Sequence, residues 1–491
     1  MNVKNEKNNE IEKFLNFESK YCFDYEIDNV LVWKYLREFI YDEYIHKVYN
    51  TQNRVPSYSN FKFGVFFIGQ LFRLFSINND LTHKDIVFLN FPRKTRIDGC
   101  YQCPQLEPLI RKFEGNCCIL ENPFWIEDKS YLVSHFEQKK DNMIYTDKIE
   151  ILHRLRIILL VLFKRKEFKK KYHKKILYFC NDINNNLCLK IDNDKLINQI
   201  FWYISFEKYA LNQYRRILKR LSPKCLIEVY TPNHHIALMN TVAHELKIPI
   251  IDVQHGAIGE YEPIMYSYHK KYNYPHLSDY IFCFGDYWKK KKNFHVNDKC
   301  VIPVGVPFLE NQVHKVDNHA NRKDTIVIIS QARYSKLFYN LAEELQKKFK
   351  KTSKKILLKL HPYEYSLYNQ GYYRKLIQNG VQVDAGLEKH LYTYFENAQC
   401  VIGINSTALY EAIAFKIPIY IYNNKYGTEN LIELSKSVAL IQIFNDVEDL
   451  IDKIEQNGKV VMLDDSNDIF STNAMSRTVM AIKQICDIEI S

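Results

Sequence analysis

One run near the C-terminus constrains the fold more than any other stretch of the chain. Residues 401–422, VIGINSTALYEAIAFKIPIYIY, form the pattern of an apolar strand, a polar turn, a short helix and a second apolar strand. This order is half of a doubly wound parallel sheet, with the polar turn at the carboxyl end of the first strand. Open α/β sheets bind ligands at that edge. The run therefore predicts an α/β domain with a ligand site at the turn.

The turn and helix carry side chains suited to a nucleotide. Ser406 can cap the helix, so that the N–H groups of the first helical turn favour an anion. Glu411 lies about one turn into the helix, where a carboxylate can accept hydrogen bonds from a ribose diol. The alternative is that Ser406 is only a helix cap and Glu411 only a solvated side chain.

A second polar strand end lies upstream. In residues 354–364, KKILLKLHPYE, an apolar strand ends in Lys359, His361 and Pro362. The carboxyl ends of parallel strands meet at one edge of a sheet. Two polar strand ends within one α/β unit therefore indicate a single site.

These two motifs resemble the C-terminal half of GT-B glycosyltransferases that build bacterial surface polysaccharides. The similarity is to capsule, lipopolysaccharide and teichoic-acid type transferases, and to sialyltransferases with an HP motif and a S-S/T motif. It rests on KLHP and on S-T-x-x-x-E-A-x-x-x-x-x-P, and it covers the chain from about Leu226 onward. The resemblance implies the following donor site: His361 and Pro362 at the nucleotide, Ser406 and Thr407 at the phosphate, and Glu411 at the ribose.

The composition, with 46% hydrophobic and 25% charged residues, is ordinary for a soluble globular protein. At 491 residues and 58.7 kDa the chain is long enough for two or three domains. The net charge of +11 favours anionic partners such as nucleic acid, anionic lipid or phosphorylated substrates. With 14 glycines the chain contains neither a Gly-rich phosphate loop nor a G-x-G-x-x-G fingerprint. Phosphate binding must then use helix N-termini and side chains.

The cysteines and the N-terminus indicate a reducing compartment. The 12 cysteines have irregular spacing, and Cys100-x-x-Cys103 lacks a second pair at zinc-finger spacing. The start of the chain, MNVKNEKNNEIEKF, has no apolar signal region, and no apolar run approaches the ~20 residues that span a bilayer. We therefore expect a cytoplasmic protein with reduced thiols, peripheral on the inner face of the membrane if it binds one.

The first 80 residues are expected to form a partly helical extension. Residues 1 to about 20 are predicted to be a frayed polar lead. In residues 30–49, apolar and aromatic side chains recur every three or four positions, which predicts an amphipathic helix. Its stripe of Trp33, Leu36, Phe39, Ile40 and Tyr44 is interpreted as core.

Residues 151–177, ILHRLRIILLVLFKRKEFKKKYHKKIL, combine a short apolar centre with a dense basic tract. Helices that lie on anionic membranes have this composition. A core helix with a solvated basic end explains it equally well. Nucleic-acid binding is disfavoured, because no known nucleic-acid-binding module accompanies the tract.

The catalytic candidates follow the strand PIIDVQHG. His255 is the last side chain before the tight turn at Gly256, and an imidazole that titrates near neutrality can take the proton of an attacking hydroxyl. QHG also resembles the His-Gly element of the same transferases. Glu260 and Glu262 follow in the loop, and either carboxylate can be the base instead. The alternative is that His255 is a structural residue at the end of the strand, hydrogen-bonded to the backbone.

The donor side is completed by the strand of residues 325–330. Gln331 and Arg333 follow it and are expected to face the donor phosphates, where Arg333 would neutralise charge on the leaving nucleotide. Lys359 is expected to contribute in the same way. Together with His361 and helix N-termini, these groups make a catalytic metal unnecessary.

The predicted fold class is α/β of GT-B type, with two Rossmann-like doubly wound domains that face a central cleft. The expected parts are a helical extension (1–80), an acceptor-binding domain (81–309) with a basic helical insertion (150–220), a linker (310–324) and a nucleotide-donor-binding domain (325–491). The last helix is expected to cross back to the N-terminal domain. Shared features of GT-B relatives imply this arrangement.

The function expected is transfer of a sugar from a nucleotide-activated donor to a surface glycan. The partners would be a nucleotide sugar, a glycan or lipid-linked glycan acceptor and an anionic membrane surface, with no nucleic acid and no cofactor. Three alternatives stay open. They are transfer of a polyol phosphate, epimerisation of a nucleotide sugar by an enzyme of related fold, and a non-enzymatic membrane scaffold.

Overall fold

Two parallel β-sheets, each flanked by helices, make up most of the described chain. A computed structural model describes residues 2–21, 24–48, 82–90, 94–97, 100–121, 124–126, 131–133, 142–258, 266–268, 274–290, 294–315, 324–361, 364–365, 368, 371–385, 390–423, 428–456 and 468–487. The strands are β1 (Glu26–Ile27), β2 (Val30–Leu31), β3 (Ile86–Leu89), β4 (Thr95–Ile97), β5 (Cys100–Gln102), β6 (Cys117–Glu121), β7 (Phe124–Ile126), β8 (Tyr131–Val133), β9 (Met143–Tyr145), β10 (Cys225–Glu228), β11 (Ile250–Val253), β12 (Tyr280–Cys283), β13 (Val301–Pro303), β14 (Thr325–Ile329), β15 (Lys355–Lys359), β16 (Gln382–Asp384), β17 (Ala398–Gly403), β18 (Ile419–Tyr422) and β19 (Ile441–Phe444).

Helices connect these strands and cover both faces of the sheets. The α-helices are α1 (Asn2–Tyr21), α2 (Trp33–Val48), α3 (Glu107–Lys112), α4 (Asp147–Phe163), α5 (Arg165–Leu187), α6 (Asn193–Leu221), α7 (His234–Glu245), α8 (Asp286–Lys290), α9 (Pro307–Lys315), α10 (Ser335–Phe349), α11 (Gly371–Gln378), α12 (Leu391–Phe395), α13 (Thr407–Ala414), α14 (Glu429–Leu434), α15 (Val447–Gln456) and α16 (Ala474–Cys486). Two short 3-10 helices lie at Asp298–Cys300 and Ala332–Tyr334.

The N-terminal sheet has seven strands in the order β13-β12-β11-β10-β3-β6-β9, and all of its neighbours are parallel. The chain winds outward from β3 to β6 and β9, then returns to the other side of β3 with β10. The switch point of this doubly wound sheet therefore lies between β3 and β10.

The C-terminal sheet repeats the same winding with six parallel strands in the order β16-β15-β14-β17-β18-β19. Its switch point lies between β14 and β17. The central strands are continuous runs of buried apolar residues, as expected for a parallel sheet covered on both faces.

The two sheets belong to domains of Rossmann type that face each other across a cleft, which is the GT-B arrangement predicted from the sequence. A contact between the loops after β11 and β17 spans the cleft. The final helix α16 returns to the N-terminal domain, since Ala481 and Ile482 belong to the same buried cluster as Ile86 and Phe88 of β3. The prediction for the last helix is thus confirmed.

The N-terminal extension is more ordered than its sequence suggested. The expectation of a frayed polar lead over residues 1 to about 20 is corrected by α1, whose Phe14 is fully buried. The apolar side chains Ile11, Phe14 and Leu15 share one helical face and pack with α2. Glu18 forms a buried ion pair with Arg37 of α2, and this ion pair helps to hold the largely polar α1 against α2.

Two other boundaries differ from the expectation, and a small hairpin lies outside both large sheets, where Tyr131–Val133 pairs antiparallel with Phe124–Ile126. The first part of the expected linker, 310–315, belongs to α9, whose Phe308 and Leu309 lie in a buried cluster with residues of both sheets. The basic segment is divided at Lys164 into α4 and α5. In the described part of the chain, no helix combines the length and apolar character needed to cross a membrane.

Candidate functional site

The carboxyl edge of the C-terminal sheet gathers three of the strand ends that the sequence singled out. Gln331 follows β14 and bonds both the carbonyl and, at 3.2 Å, the backbone N–H of Asn405 after β17. These two bonds span the switch point of the sheet. Gln331 therefore positions the turn that leads into α13, and its expected contact with donor phosphates stays a prediction.

The start of α13 has the geometry of an anion site. Ser406 caps the helix by accepting a hydrogen bond from the N–H of Ala408 at 3.4 Å. Thr407 Oγ1 accepts a hydrogen bond from the N–H of Ala257 at 2.9 Å, across the cleft. The hydroxyl proton of Thr407 remains able to donate. Both side chains thus stand at a helix N-terminus whose partial positive charge favours phosphate.

Glu411 lies on α13 with an unusually basic carboxyl group. Burial raises the pKa of Glu411 to about 7, while a hydrogen bond from Tyr392 lowers it. Tyr392 belongs to α12 and packs against Phe415, so the carboxyl has an apolar wall. Hydrogen bonds from a ligand diol would favour the carboxylate form.

The HP turn after β15 is built around a second buried carboxyl, Glu364. Its Oε2 accepts the backbone N–H of His361 at 2.9 Å, and its Oε1 accepts the hydroxyls of Ser330 and Tyr373, each at 3.0 Å. Burial raises the pKa of Glu364. The sequence analysis did not assign Glu364 a role, although it ends the quoted motif. Pro362 lies outside the described residues.

Lys359 and Arg333, which were predicted to contact the donor phosphates, interact with other protein side chains in the structure. Lys359 Nζ lies 3.1 Å from Asp384 Oδ2 and donates to the Tyr365 hydroxyl at 3.1 Å. Arg333 is exposed; the pKa of His46 on α2 is lowered by burial and, to a smaller extent, by the charge of Arg333. Lys359 thus lies in a buried ion pair, whereas Arg333 faces the N-terminal extension across the cleft. Their contact with a donor stays a prediction.

On the N-terminal side, His255 follows β11 and lies two residues before Ala257, whose N–H bonds Thr407. Its ring contacts the ring of Tyr230 edge to face, with centroids 5.2 Å apart, and its carbonyl accepts Gln105 Nε2 at 3.0 Å. The next residue, Gly256, approaches α13 closely, because a Cβ there would lie 2.9 Å from Thr407 Oγ1. Glu260 and Glu262 lie outside the described residues.

Tyr230 is a site residue that the sequence analysis missed. It follows β10 with φ of 79°, a left-handed conformation that is costly for an aromatic residue. Its hydroxyl donates to Glu38 Oε1 of α2 at 2.5 Å. The strained backbone thus holds a ring beside His255 and ties the extension to the cleft. No sequence pattern marks a non-glycine residue for positive φ.

Below this edge lies a pair of buried acids on adjacent strands. Glu228 and Asp252 are paired in register on β10 and β11, and the Thr231 hydroxyl lies 2.6 Å from Glu228 Oε1 and 3.2 Å from Asp252 Oδ2. Burial raises the pKa of Glu228 to about 7, and burial and the charge of Glu228 raise that of Asp252. Neighbouring buried carboxyls of this kind share protons rather than ionise together.

A buried histidine cluster flanks the same domain. His234 and His235 begin α7, and Glu150 and His153 lie on α4. Burial lowers the pKa of His153 to about 4 and those of His234 and His235 to about 3, so these rings are neutral. The adjacent histidines were visible in the sequence, but their partners on α4 are distant along the chain.

The fold and the cleft define a two-domain α/β protein of GT-B arrangement. Among solved structures, the chain is similar to UDP-GlcNAc 2-epimerase from Methanocaldococcus jannaschii, with 13% identity over 81% of this chain and 99% of that chain and a TM-score of 0.48. It is also similar to UDP-GlcNAc 2-epimerase from Neisseria meningitidis (10% identity, 82% and 99% coverage, TM-score 0.42) and to Acinetobacter baumannii MurG (12%, 82% and 99%, TM-score 0.44). No protein-family model and no curated protein sequence matches the chain. Likenesses at this level carry no argument about activity.

Proposed function

We propose that the protein is a glycosyltransferase that moves a sugar from a nucleotide-activated donor to a surface glycan held at a membrane. The observation that carries this proposal is the 2.9 Å bond between the N–H of Ala257 and Thr407 Oγ1. It places the His255 turn of one domain directly against the N-terminus of α13 in the other. The residues that we assign to the base and to the donor phosphates thus lie at the edges of two α/β domains that this bond joins.

The donor is assigned to the C-terminal domain. Its phosphates would lie at the N-terminus of α13, where the helix dipole and the Thr407 hydroxyl stabilise negative charge. Its ribose would reach Glu411, about one turn along the helix, whose carboxylate accepts hydrogen bonds from a diol. His361 would contact the nucleotide from the neighbouring strand end, and exposed Arg333 would offset charge on the leaving group.

The acceptor is assigned to the N-terminal domain. An acceptor hydroxyl near His255 would lose its proton to the imidazole, or to Glu260 or Glu262, as its oxygen attacks the anomeric carbon. The bond from that carbon to the donor phosphate breaks, and the nucleotide leaves with the electron pair. Tyr230 holds the His255 ring on one side, which favours one orientation of the base.

A surface formed by α4 and the start of α5 supports a membrane-held acceptor. Several apolar side chains in the C-terminal half of α4 are exposed to solvent. Their exposed fractions are 56% for Ile158, 59% for Leu159, 67% for Leu162 and 75% for Phe163. The residues that follow are exposed and basic: Lys164, Arg165, Lys166, Lys170, Lys174 and Lys175. Apolar groups that insert and cations that pair with lipid headgroups are the two requirements for binding an anionic bilayer surface.

This surface also separates the proposal from its alternatives. An epimerase acts on a free nucleotide sugar and has no need of a membrane. A scaffold has no need of the facing strand-end groups at the cleft. We therefore assign the acceptor to the class of lipid-linked or membrane-bound glycans, as in capsule or lipopolysaccharide assembly, with the enzyme peripheral on the cytoplasmic face.

The test is incorporation of labelled sugar from a panel of nucleotide sugars into membrane glycan from the source cells. We expect one donor to label the membrane fraction with wild-type protein and with His314→Ala, an exposed control, and His255→Ala to lower the rate by ~10²-fold or more. Turnover of the free donor without acceptor would replace the proposal with epimerisation. Labelling only from a nucleotide-activated polyol phosphate would replace it with polyol-phosphate transfer.

A further inference from the structure

The buried cluster at the junction of α4 and α7 contains three potential metal ligands. Glu150, His234 and His235 each offer one ligand atom, and these three atoms lie within 4.8 Å of one another. Two of the residues come from the start of α7 and one from the start of α4. Side chains from two helices thus converge in a region shielded from water.

We propose that Glu150, His234 and His235 form a binding site for a divalent transition metal, of which Zn²⁺ is the representative. Two imidazoles and a carboxylate are a donor set that suits zinc, and they leave a coordination position for water or a further side chain. His153 also faces the cluster, since its ring and that of His234 both pack against Trp202 and Phe206.

The strongest support is a set of buried polar atoms that have no hydrogen-bond partner among the described residues. Glu150 Oε2, His234 Nε2 and both ring nitrogens of His153 belong to this set. Buried polar atoms are ordinarily paired, because an unmade hydrogen bond is costly in a dry interior. A cation at the centre of the cluster would satisfy the carboxylate oxygen and the imidazole lone pair together.

Neighbouring side chains hold these ligands in a suitable state. Tyr214 Oη lies 2.6 Å from His235 Nδ1, so the tautomer that donates from Nδ1 leaves the Nε2 lone pair toward Glu150 Oε2, 3.6 Å away. Arg154 donates to Glu150 Oε1 at 2.6 Å, which orients the carboxylate and leaves Oε2 for the metal. Second-shell partners of this kind are typical of metal-bound His and Glu.

The site has a structural consequence for the rest of the molecule. Glu150 and the bare apolar residues up to Phe163 belong to the same helix. A metal that joins the start of α4 to α7 would fix the direction in which the exposed half of α4 leaves the domain. The metal is thus assigned to a structural role, apart from the acid–base chemistry at His255.

The test is Zn²⁺ binding to the full-length protein, measured by metal analysis after exposure to zinc and dialysis, and by competition with a chromophoric chelator. We expect one Zn²⁺ per chain in wild type and in the exposed-histidine control His314→Gln. Glu150→Gln and His234→Gln should each weaken binding by at least about a hundredfold, since each removes a ligand outright and loss of a second-shell partner alone costs 10- to 100-fold. Zn²⁺ should also raise the Tm of wild type and not of these variants.

Circular dichroism establishes that each variant is folded, and either folded variant is sufficient for the comparison. Co²⁺ in place of Zn²⁺ should give the visible absorption of a nitrogen- and oxygen-ligated site in wild type and in His314→Gln, and not in the two ligand variants. Absence of bound zinc in the wild type would overturn the proposal. Equal zinc affinity in the wild type and in a folded ligand variant would overturn it as well.

Discussion

The backbone N–H of Ala257 lies 2.9 Å from Thr407 Oγ1, and this one hydrogen bond joins the strand-end loops of two separate sheets. The donor follows β11 of the N-terminal domain, and the acceptor begins α13 of the C-terminal domain. The turn that contains His255 therefore lies against the N-terminus of α13. A donor that binds there touches both domains at once.

Removing the Thr407 hydroxyl should weaken donor binding. Thr407→Val keeps the shape of the side chain but loses the acceptor for Ala257 and the donor for phosphate. We expect nucleotide affinity to fall by about 1.5–3 kcal/mol, since hydrogen bonds to charged groups have that range. Isothermal titration calorimetry with the cognate nucleotide measures the loss, and Thr407→Ser should retain most of the affinity. Equal affinities of the Val and Ser variants would show that the hydroxyl does not contact the ligand.

Nucleotide affinity should increase with pH through neutrality because of Glu411. Its pKa is raised to about 7 by burial, and only the carboxylate accepts two hydrogen bonds from a ribose diol. Ligand binding should therefore strengthen by roughly tenfold from pH 6 to pH 8 and level off above that range, since one titrating group limits the effect. Calorimetry across this pH range provides the measurement. In Glu411→Gln we expect weaker binding with a flat profile, and an unchanged slope would remove Glu411 from the ribose site.

The buried pair of Glu228 and Asp252 should make the protein less stable as pH rises. Burial raises the pKa of Glu228 to about 7, above that of an exposed glutamate, so the folded state binds the proton more tightly than the unfolded state. The stabilisation is complete below the unfolded pKa and is lost as pH rises through about 7. The free energy of unfolding measured in urea should be ~1–3 kcal/mol lower at pH 8 than at pH 5 because of this group.

Glu228→Gln is the matched variant for that measurement, because the amide retains an oxygen that accepts the hydrogen bonds from Thr231 and Asn240. We expect its free energy of unfolding to depend less on pH than that of wild type. Glu114→Gln, an exposed change on the same domain, should leave the wild-type slope intact. If the free energy of unfolding of Glu228→Gln depends on pH as strongly as that of wild type, the Glu228 carboxyl does not titrate between pH 5 and pH 8.

Polar substitutions on the exposed apolar half of α4 should weaken membrane binding and leave the cleft intact. Leu162→Ser with Phe163→Ser removes the two most exposed of its apolar side chains. Co-sedimentation with vesicles rich in anionic lipid should weaken by about tenfold or more, because lost apolar insertion contributes directly to binding. Met480→Ser on α16 is the control, since Met480 is also exposed but lies in a different helix. Equal binding of all three proteins would contradict the assignment of this surface.

The sequence predicted the C-terminal domain better than the N-terminal one, for a physical reason. Buried parallel strands are apolar runs with polar strand ends, and β14, β15 and β17 have that pattern. In α1, by contrast, a narrow apolar face is embedded in Lys, Asn and Glu. This face is buried because α1 packs against α2 and because Glu18 forms an ion pair with Arg37. The sequence periodicity of α1 alone does not predict these contacts.

The candidate site shows the same division. The strand-end position of His255, His361 and Ser406 follows from hydrophobic pattern and turn residues. The partners of these residues could not be predicted in this way. Tyr230 lies beside His255 because its backbone is left-handed, and Glu364 contacts His361 because it is buried under the HP turn. The neighbours of Lys359 likewise depend on strand order, since Asp384 lies on the adjacent strand β16.

The most direct test of the central claim is a thermal-unfolding panel of CMP, CDP, UDP, GDP and their activated sugars. It compares wild type, His361→Ala, Glu411→Gln and the exposed control His314→Ala. We predict that one nucleotide at ~100 times its Kd stabilises wild type and His314→Ala by about 2.7 kcal/mol and that both site variants lose this effect. If no nucleotide stabilises the folded wild type, or if the site variants respond as wild type does, the cleft is not a nucleotide-sugar site and the proposed transferase function is wrong.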